Sequence, residues 1–197
     1  MKIADFFTTI RIILAPIFFA LFFLPSYCGF GREASVFILL PLFIFMEFTD
    51  FLDGFYARKN NAVSDFGKIF DPFADVLANL TVLLVFVVAG YLPAFLYLII
   101  IYREMGIMFV RLLAARNGTV IAARKGGKTK TVLYIIAAGF SLFIESGKRL
   151  GFDLSPFLDA LVLVNLGLYV LAVIMSVVSF VDYLYHFASV LKPSNHT

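Results

Sequence analysis

A chain of 197 residues that is 62% hydrophobic and only 15% charged carries more apolar surface than a water-soluble core of that size can bury. With 25 Phe, no Trp and a single cysteine, Cys28, the composition excludes a soluble globular domain, a disordered chain and a disulfide-built secreted scaffold. The net charge of +3 is small. At this hydrophobicity it points to a membrane surface and not to nucleic acid.

Six apolar stretches follow in order, roughly 7–25, 33–56, 69–90, 93–115, 128–146 and 157–187, each long enough to cross a hydrocarbon core of ~30 Å. Pro25-Ser26, Gly29 and Gly31 are expected to end the first, Arg58 through Asn61 the second, and Gly90 with Pro93 to make a tight turn after the third. Arg116-Asn117-Gly118 ends the fourth, and Gly147 through Pro156 separates the fifth from the overlong sixth. The runs are continuous and do not alternate, which excludes a β-barrel. The expected fold is all-α, a single membrane domain over 1–197 with six transmembrane helices. With the N-terminus in the cytoplasm, only Arg32, Lys148 and Arg149 of the 16 Lys and Arg fall outside. Both termini are therefore expected to be cytoplasmic. Residues 1–28 do not read as a cleaved leader, because no small-x-small site follows and Arg11 interrupts the run.

Ionisable groups in membrane helices are costly and suspect. Here they concentrate at the junction of helices 2 and 3. Asp50 and Asp53 are spaced i, i+3 on helix 2, and Asp71 and Asp75 are spaced i, i+4 on helix 3. Each pair shares a helix face, and a short polar loop should make the two helices antiparallel neighbours at the cytoplasmic end. Four clustered carboxylates repel unless cations are bound. Oxygen ligands without His or Cys suit hard divalent ions, and four bridging carboxylates can hold two, an arrangement used for displacement at phosphorus. Gly54 and Ala57 leave room for a close approach, and Arg58 offers a fork of donors suited to phosphate. Glu47, one turn before Asp50, reads equally as a partner of those ligands or as an ordinary polar residue.

Together these residues form D-x2-D-G-x2-A-R-x8-G-x3-D-x3-D, from Asp50 through Gly67 to Asp75, eight fixed positions within 26 residues. This pattern resembles the CDP-alcohol phosphotransferases. The resemblance implies a six-helix membrane enzyme with two Mg²⁺ or Mn²⁺ ions on Asp50, Asp53, Asp71 and Asp75. It implies a CDP pocket lined by Asp50, Gly54, Ala57, Arg58 and Gly67, attack of a hydroxyl on a CDP-linked substrate, release of CMP, and Asp75 as general base. Homodimers are frequent in the family, so a homodimer is expected by analogy alone.

The second substrate is read from other segments. Thr8-Thr9-Ile10-Arg11 opens helix 1, Arg103-Glu104 is followed by Arg111 on helix 4, and Gly127-Lys128-Thr129-Lys130-Thr131 precedes helix 5. These are similar to the T-x-x-R, R-E-x6-R and G-K-x-K-T segments of the bacterial phosphatidylglycerophosphate synthases, a resemblance covering roughly 5–134. It implies CDP-diacylglycerol as donor and glycerol 3-phosphate as acceptor, at an inner membrane. A dianionic acceptor needs a cationic clamp, and Arg103, Arg111, Lys128 and Lys130, with Thr8 and Arg11, are the candidates. Arg116 and Lys125 read as topology charges. Arg124-Lys125 is more basic than that branch, and Asp5 stands where its members commonly carry Asn. Gly127-Lys128-Thr129 is no phosphate-binding P-loop, since Ala122 stands where the first glycine is needed. His186 and His196 lie far from the motif, and Tyr183 and Tyr185 read as an interfacial aromatic belt. The rival readings are the same chemistry on phosphatidylglycerol, inositol phosphate, choline or serine, and a cation transporter using the four aspartates.

Overall fold

In the structure, a computed structural model, the backbone is described for residues 3–29, 31–60, 65–116 and 125–191, and side chains for 8–29, 31–49, 70, 72–114, 129–185 and 187. The described chain is helical throughout. Six helices, α1 (Ile3–Cys28), α2 (Arg32–Asn60), α3 (Asp65–Val88), α4 (Ala94–Arg116), α5 (Lys125–Arg149) and α6 (Leu158–Leu191), match the six expected stretches; a short 3₁₀ turn, Ser155–Phe157, leads into α6.

Pro16, Pro25, Pro41 and Pro72 all lie inside helices. Such breakers are tolerated where neighbouring helices accommodate the freed backbone groups. Pro25 therefore does not end α1, as the sequence suggested. Gly29 does, at φ 66° with its N–H on the Pro25 carbonyl at 3.1 Å. The α3–α4 turn closes the same way. Gly90 takes φ 83°, its N–H reaches Val87 O at 3.1 Å, and the Tyr91 N–H reaches Phe86 O at 2.8 Å. This is the left-handed C-terminal cap that glycine makes accessible.

Among the described residues three helical stretches are long and apolar enough to cross a bilayer, Thr8–Cys28, Thr129–Arg149 and Ser155–Tyr185; Pro72–Val88 is a shorter apolar stretch. Among the described residues the others carry charges within the span: Arg32, Glu33 and Glu47 on α2, and Arg103, Glu104 and Arg111 on α4. The protein is an integral membrane protein by these helices.

α1 packs on both α2 and α3, α5 on α6, and α6 also on α4. Direct packing of α2 on α3, expected from the short loop, is not among the main contacts of the described residues. The core is aromatic and aliphatic. Phe18 stands 6.2 Å from Phe43, and Phe22 meets Phe86 edge-on at 6.0 Å. Leu39, Ile100, Leu142 and Tyr169 are fully buried around them. A second, smaller cluster joins Ile107 and Val110 of α4 to Tyr183 of α6. The many exposed large apolar side chains, Phe37, Phe95, Phe109, Leu163 and Val178 among them, lie where a bilayer would cover them.

The end of the bundle remote from the acidic motif is tied by a polar network. Arg149 donates through Nε to Glu145 Oε1 at 2.7 Å, through Nη1 to Ser35 Oγ at 2.7 Å and through Nη2 to Phe22 O at 2.8 Å. Its guanidinium lies 4.5 Å over the Phe22 ring. Tyr91 donates to Glu145 Oε2 at 2.9 Å, and Asn165 Nδ2 donates to Tyr91 O at 2.9 Å. Burial, and then the Glu145 charge, hold the Tyr91 hydroxyl well above the ordinary tyrosine range.

Candidate active site

Positions 50, 53, 54, 57 and 58 fall in the last three turns of α2, and positions 67, 71 and 75 in the first three turns of α3. The side chains of Asp50, Asp53, Arg58 and Asp71 lie outside the described residues, as do those of Ala57 and Lys128 and the surroundings of Gly54 and Gly67. Asp75 is described. It is half-buried and accepts an ion-paired hydrogen bond from Arg11 Nη1. Arg11 is buried on α1, and Thr8, one turn earlier on that helix, is buried as well. The T-x-x-R opening of α1 is thus brought to the last aspartate of the motif. Arg11, expected on the acceptor's phosphate, is engaged with the expected base. Glu47 is half-buried on α2 and also takes part in polar contacts.

A second polar group sits between α4, α5 and α6. Arg103 Nη1 lies 3.0 Å from each carboxylate oxygen of Glu104, and Lys130 Nζ makes a short ion pair with Oε1 of the same group. Arg103 is also held by α6, through Nε to Ser176 O and Nη2 to Ser179 Oγ, both at 3.2 Å. Tyr134 of α5 donates to Ser176 Oγ at 2.6 Å, and Lys130 stands 5.4 Å over the Tyr134 ring. Arg111, two turns beyond Arg103 on α4, is close enough for its charge to act on Lys130. Arg103 and Lys130, singled out from the sequence, are therefore together, while Arg11 belongs with Asp75.

Four contributors went unassigned in the sequence: Glu104, Tyr134, Ser176 and Ser179. Glu104 had a signal, an acid within an apolar run, where burial without a partner is costly. The serines of α6 had none, since serine is common in membrane helices. One reading is corrected. Tyr183 is only 4% exposed, packed between α4 and α6, whereas Tyr185 is 86% exposed. Only Tyr185 can serve an aromatic belt, because two residues along a helix turn a side chain to the other face. The side chain of His186, the side chains of Arg116 and Lys125, and all of Arg124 and His196 lie outside the described residues.

Residues 1–178 match the family described as CDP-alcohol phosphatidyltransferase. The chain belongs to the CDP-alcohol phosphatidyltransferase family. The match to the CDP-alcohol phosphatidyltransferases runs past residue 134, where the sequence resemblance stopped, and takes in most of α6, including Ser176. Among its relatives is the CDP-diacylglycerol–glycerol-3-phosphate 3-phosphatidyltransferase of Treponema pallidum, 41% identical over 199 residues, covering 98% of this chain and 92% of that protein. The protein of the same name in Bacillus subtilis is 38% identical over 95% of this chain and 96% of its own length. That of Mycoplasma genitalium is 34% identical over 98% and 87%.

Proposed function

We propose that this chain transfers the phosphatidyl group of CDP-diacylglycerol to the 1-hydroxyl of sn-glycerol 3-phosphate, giving phosphatidylglycerol phosphate and CMP. The observation that carries the reading is near-full-length identity of 41% to a transferase of that name, on a chain holding the whole acidic motif. The hydroxyl oxygen forms the new bond to the diacylglycerol-linked phosphorus, the bond from that phosphorus to CMP breaks, and the alcohol proton passes to Asp75. Arg11 holds the Asp75 carboxylate in place for that transfer, so the base need only meet an oriented alcohol.

The donor set fits two hard divalent ions, Mg²⁺ or Mn²⁺, since Asp50, Asp53, Asp71 and Asp75 supply oxygen ligands alone from two helix ends. Bound there, the ions would offset the charge of the diphosphate and of the departing CMP. Asp50, Gly54, Ala57, Arg58 and Gly67 would line the CDP pocket, and Arg103, Arg111, Lys128 and Lys130 would take the acceptor's phosphate. The enzyme sits in the inner membrane with six crossings and both termini cytoplasmic, its acidic site between α2 and α3 at the cytoplasmic side. The distribution of Lys and Arg supports that orientation.

The test is CMP release by purified protein in detergent, with CDP-diacylglycerol, Mg²⁺ and a panel of acceptors. Glycerol 3-phosphate is expected to lead and chelation to stop the reaction. A lead by phosphatidylglycerol, inositol phosphate, serine or choline would overturn the acceptor assignment. Release that persists in EDTA would overturn the metal ligands. Cation flux without CMP release would overturn the enzyme reading.

A further inference from the structure

We infer that Glu104 is a positioning residue, which holds Arg103 and Lys130 in the arrangement that receives the acceptor's phosphate, with Ser179 of α6 completing the hold on Arg103. The inference rests on the glycerol 3-phosphate reading given above. Among the described residues Glu104 is the only acidic side chain that is buried, at 4% exposure. A carboxylate so placed is retained only against strong partners, because the cost of desolvating an ion is of the same order as what a good pairing returns. Its partners are two of the residues singled out as clamp cations, Arg103 on its own helix and Lys130 on the next. Without it, two buried positive groups would repel and separate.

The cluster is not closed on itself. Arg103 and Lys130 bring two positive charges to one carboxylate, and Arg111, two turns along α4 from Arg103, adds a third on the same helix. Arg111 Nε is buried without a hydrogen-bond partner among the described residues. A buried donor left unpaired asks for a missing partner. Three cations and one carboxylate leave two positive charges, the complement of a phosphate monoester dianion. Lys130 spends one of three ammonium donors on Glu104. Arg103 is fixed on three sides by Glu104, Ser176 O and Ser179 Oγ, so its remaining N–H groups have a set direction.

Neutralising Glu104 has two opposed consequences, and their sign separates positioning from simple electrostatics. Losing a negative charge raises the local positive potential and would tighten phosphate binding. Losing the anchor frees two cations and would loosen it. With the full chain in detergent and Mg²⁺, Glu104→Gln is expected to raise the KM for glycerol 3-phosphate about tenfold, the scale of one charged hydrogen bond. The KM for CDP-diacylglycerol should stay within about twofold. Ser179→Ala, a milder change, should raise the acceptor KM about threefold, as for one neutral bond. An acceptor KM that falls or stays level in Glu104→Gln, or an equal rise in both KM values, would overturn the inference. If Glu104→Gln does not fold, an unchanged acceptor KM in Ser179→Ala overturns it instead. Wild-type protein that releases no CMP on addition of glycerol 3-phosphate would remove the function reading, and the inference with it, before any variant is compared.

Discussion

Asp75 and Arg11 show what a pattern of spacings can and cannot carry. The four aspartates stand out in the sequence because carboxylates at i, i+3 and i, i+4 in an apolar run are costly there without a partner, and of the four the described residues include Asp75. That Arg11, 64 residues earlier, would reach the last of them was not legible, because no local spacing links α1 to α3. If Asp75 takes the proton, Asp75→Asn should abolish CMP release while binding of the CDP-lipid persists, read by equilibrium binding beside turnover. Turnover near the wild-type rate would remove Asp75 from that role. Arg11→Gln should lower kcat by about 10–100-fold, the penalty of a base displaced by an ångström or less. A change confined to the acceptor KM would return Arg11 to the phosphate clamp. Glu104 was visible as half of Arg-Glu, but a neighbouring pair of opposite charges is also what a solvated helix end looks like, and only burial separates the two.

The helices were found in order and number, and their ends were less well placed. Proline and glycine carry equal weight as stops in the sequence, whereas four prolines sit inside helices and the described ends of α1, α3 and α5 are followed by glycines with positive φ. Charge misleads in a similar way. Arg149 looks from the sequence like a residue facing the outer aqueous side, yet it is the buried hub of the network joining α1, α2 and α5. Arg149→Ala removes a buried cation and leaves the half-buried Glu145 without its main partner, which should cost about 3 kcal/mol, measured by unfolding in detergent. At the other end, a Cβ on Gly106 would meet Phe180 Cζ of α6 at 2.8 Å. Gly106→Ala should cost about 1–3 kcal/mol through displacement of that ring. Tyr91 adds a pH dependence. Its hydroxyl is raised above the ordinary value of 10.0, so its contribution is whole below that pH and is lost as pH rises towards the folded-state value. Melting should fall more steeply in wild type than in Tyr91→Phe between about pH 9 and 11, where an ordinary tyrosine ionises. Parallel curves would detach Tyr91 from stability.

For the whole molecule, composition had already decided membrane over water. Among the described residues three helical stretches satisfy length and apolarity unaided, and the described parts of α2 and α4 carry charges instead. Orientation can be tested with the native chain, because its one cysteine, Cys28, is exposed at the far end of α1. With both termini cytoplasmic, a membrane-impermeant maleimide should label Cys28 in spheroplasts and not in inverted vesicles. The reverse pattern would invert the topology.

The Arg149 network gives the bundle a fulcrum. Along α5, Lys130 stands about 29 Å from Arg149. A tilt of roughly 2° at the fulcrum sweeps Lys130 through about 1 Å, comparable to the misplacement that costs a catalyst about a hundredfold. A handful of hydrogen bonds at one end of the bundle would thereby set the aim of groups at the other, and substitutions at Ser35 or Glu145 should lower turnover by leverage although both lie at the end remote from the acidic motif.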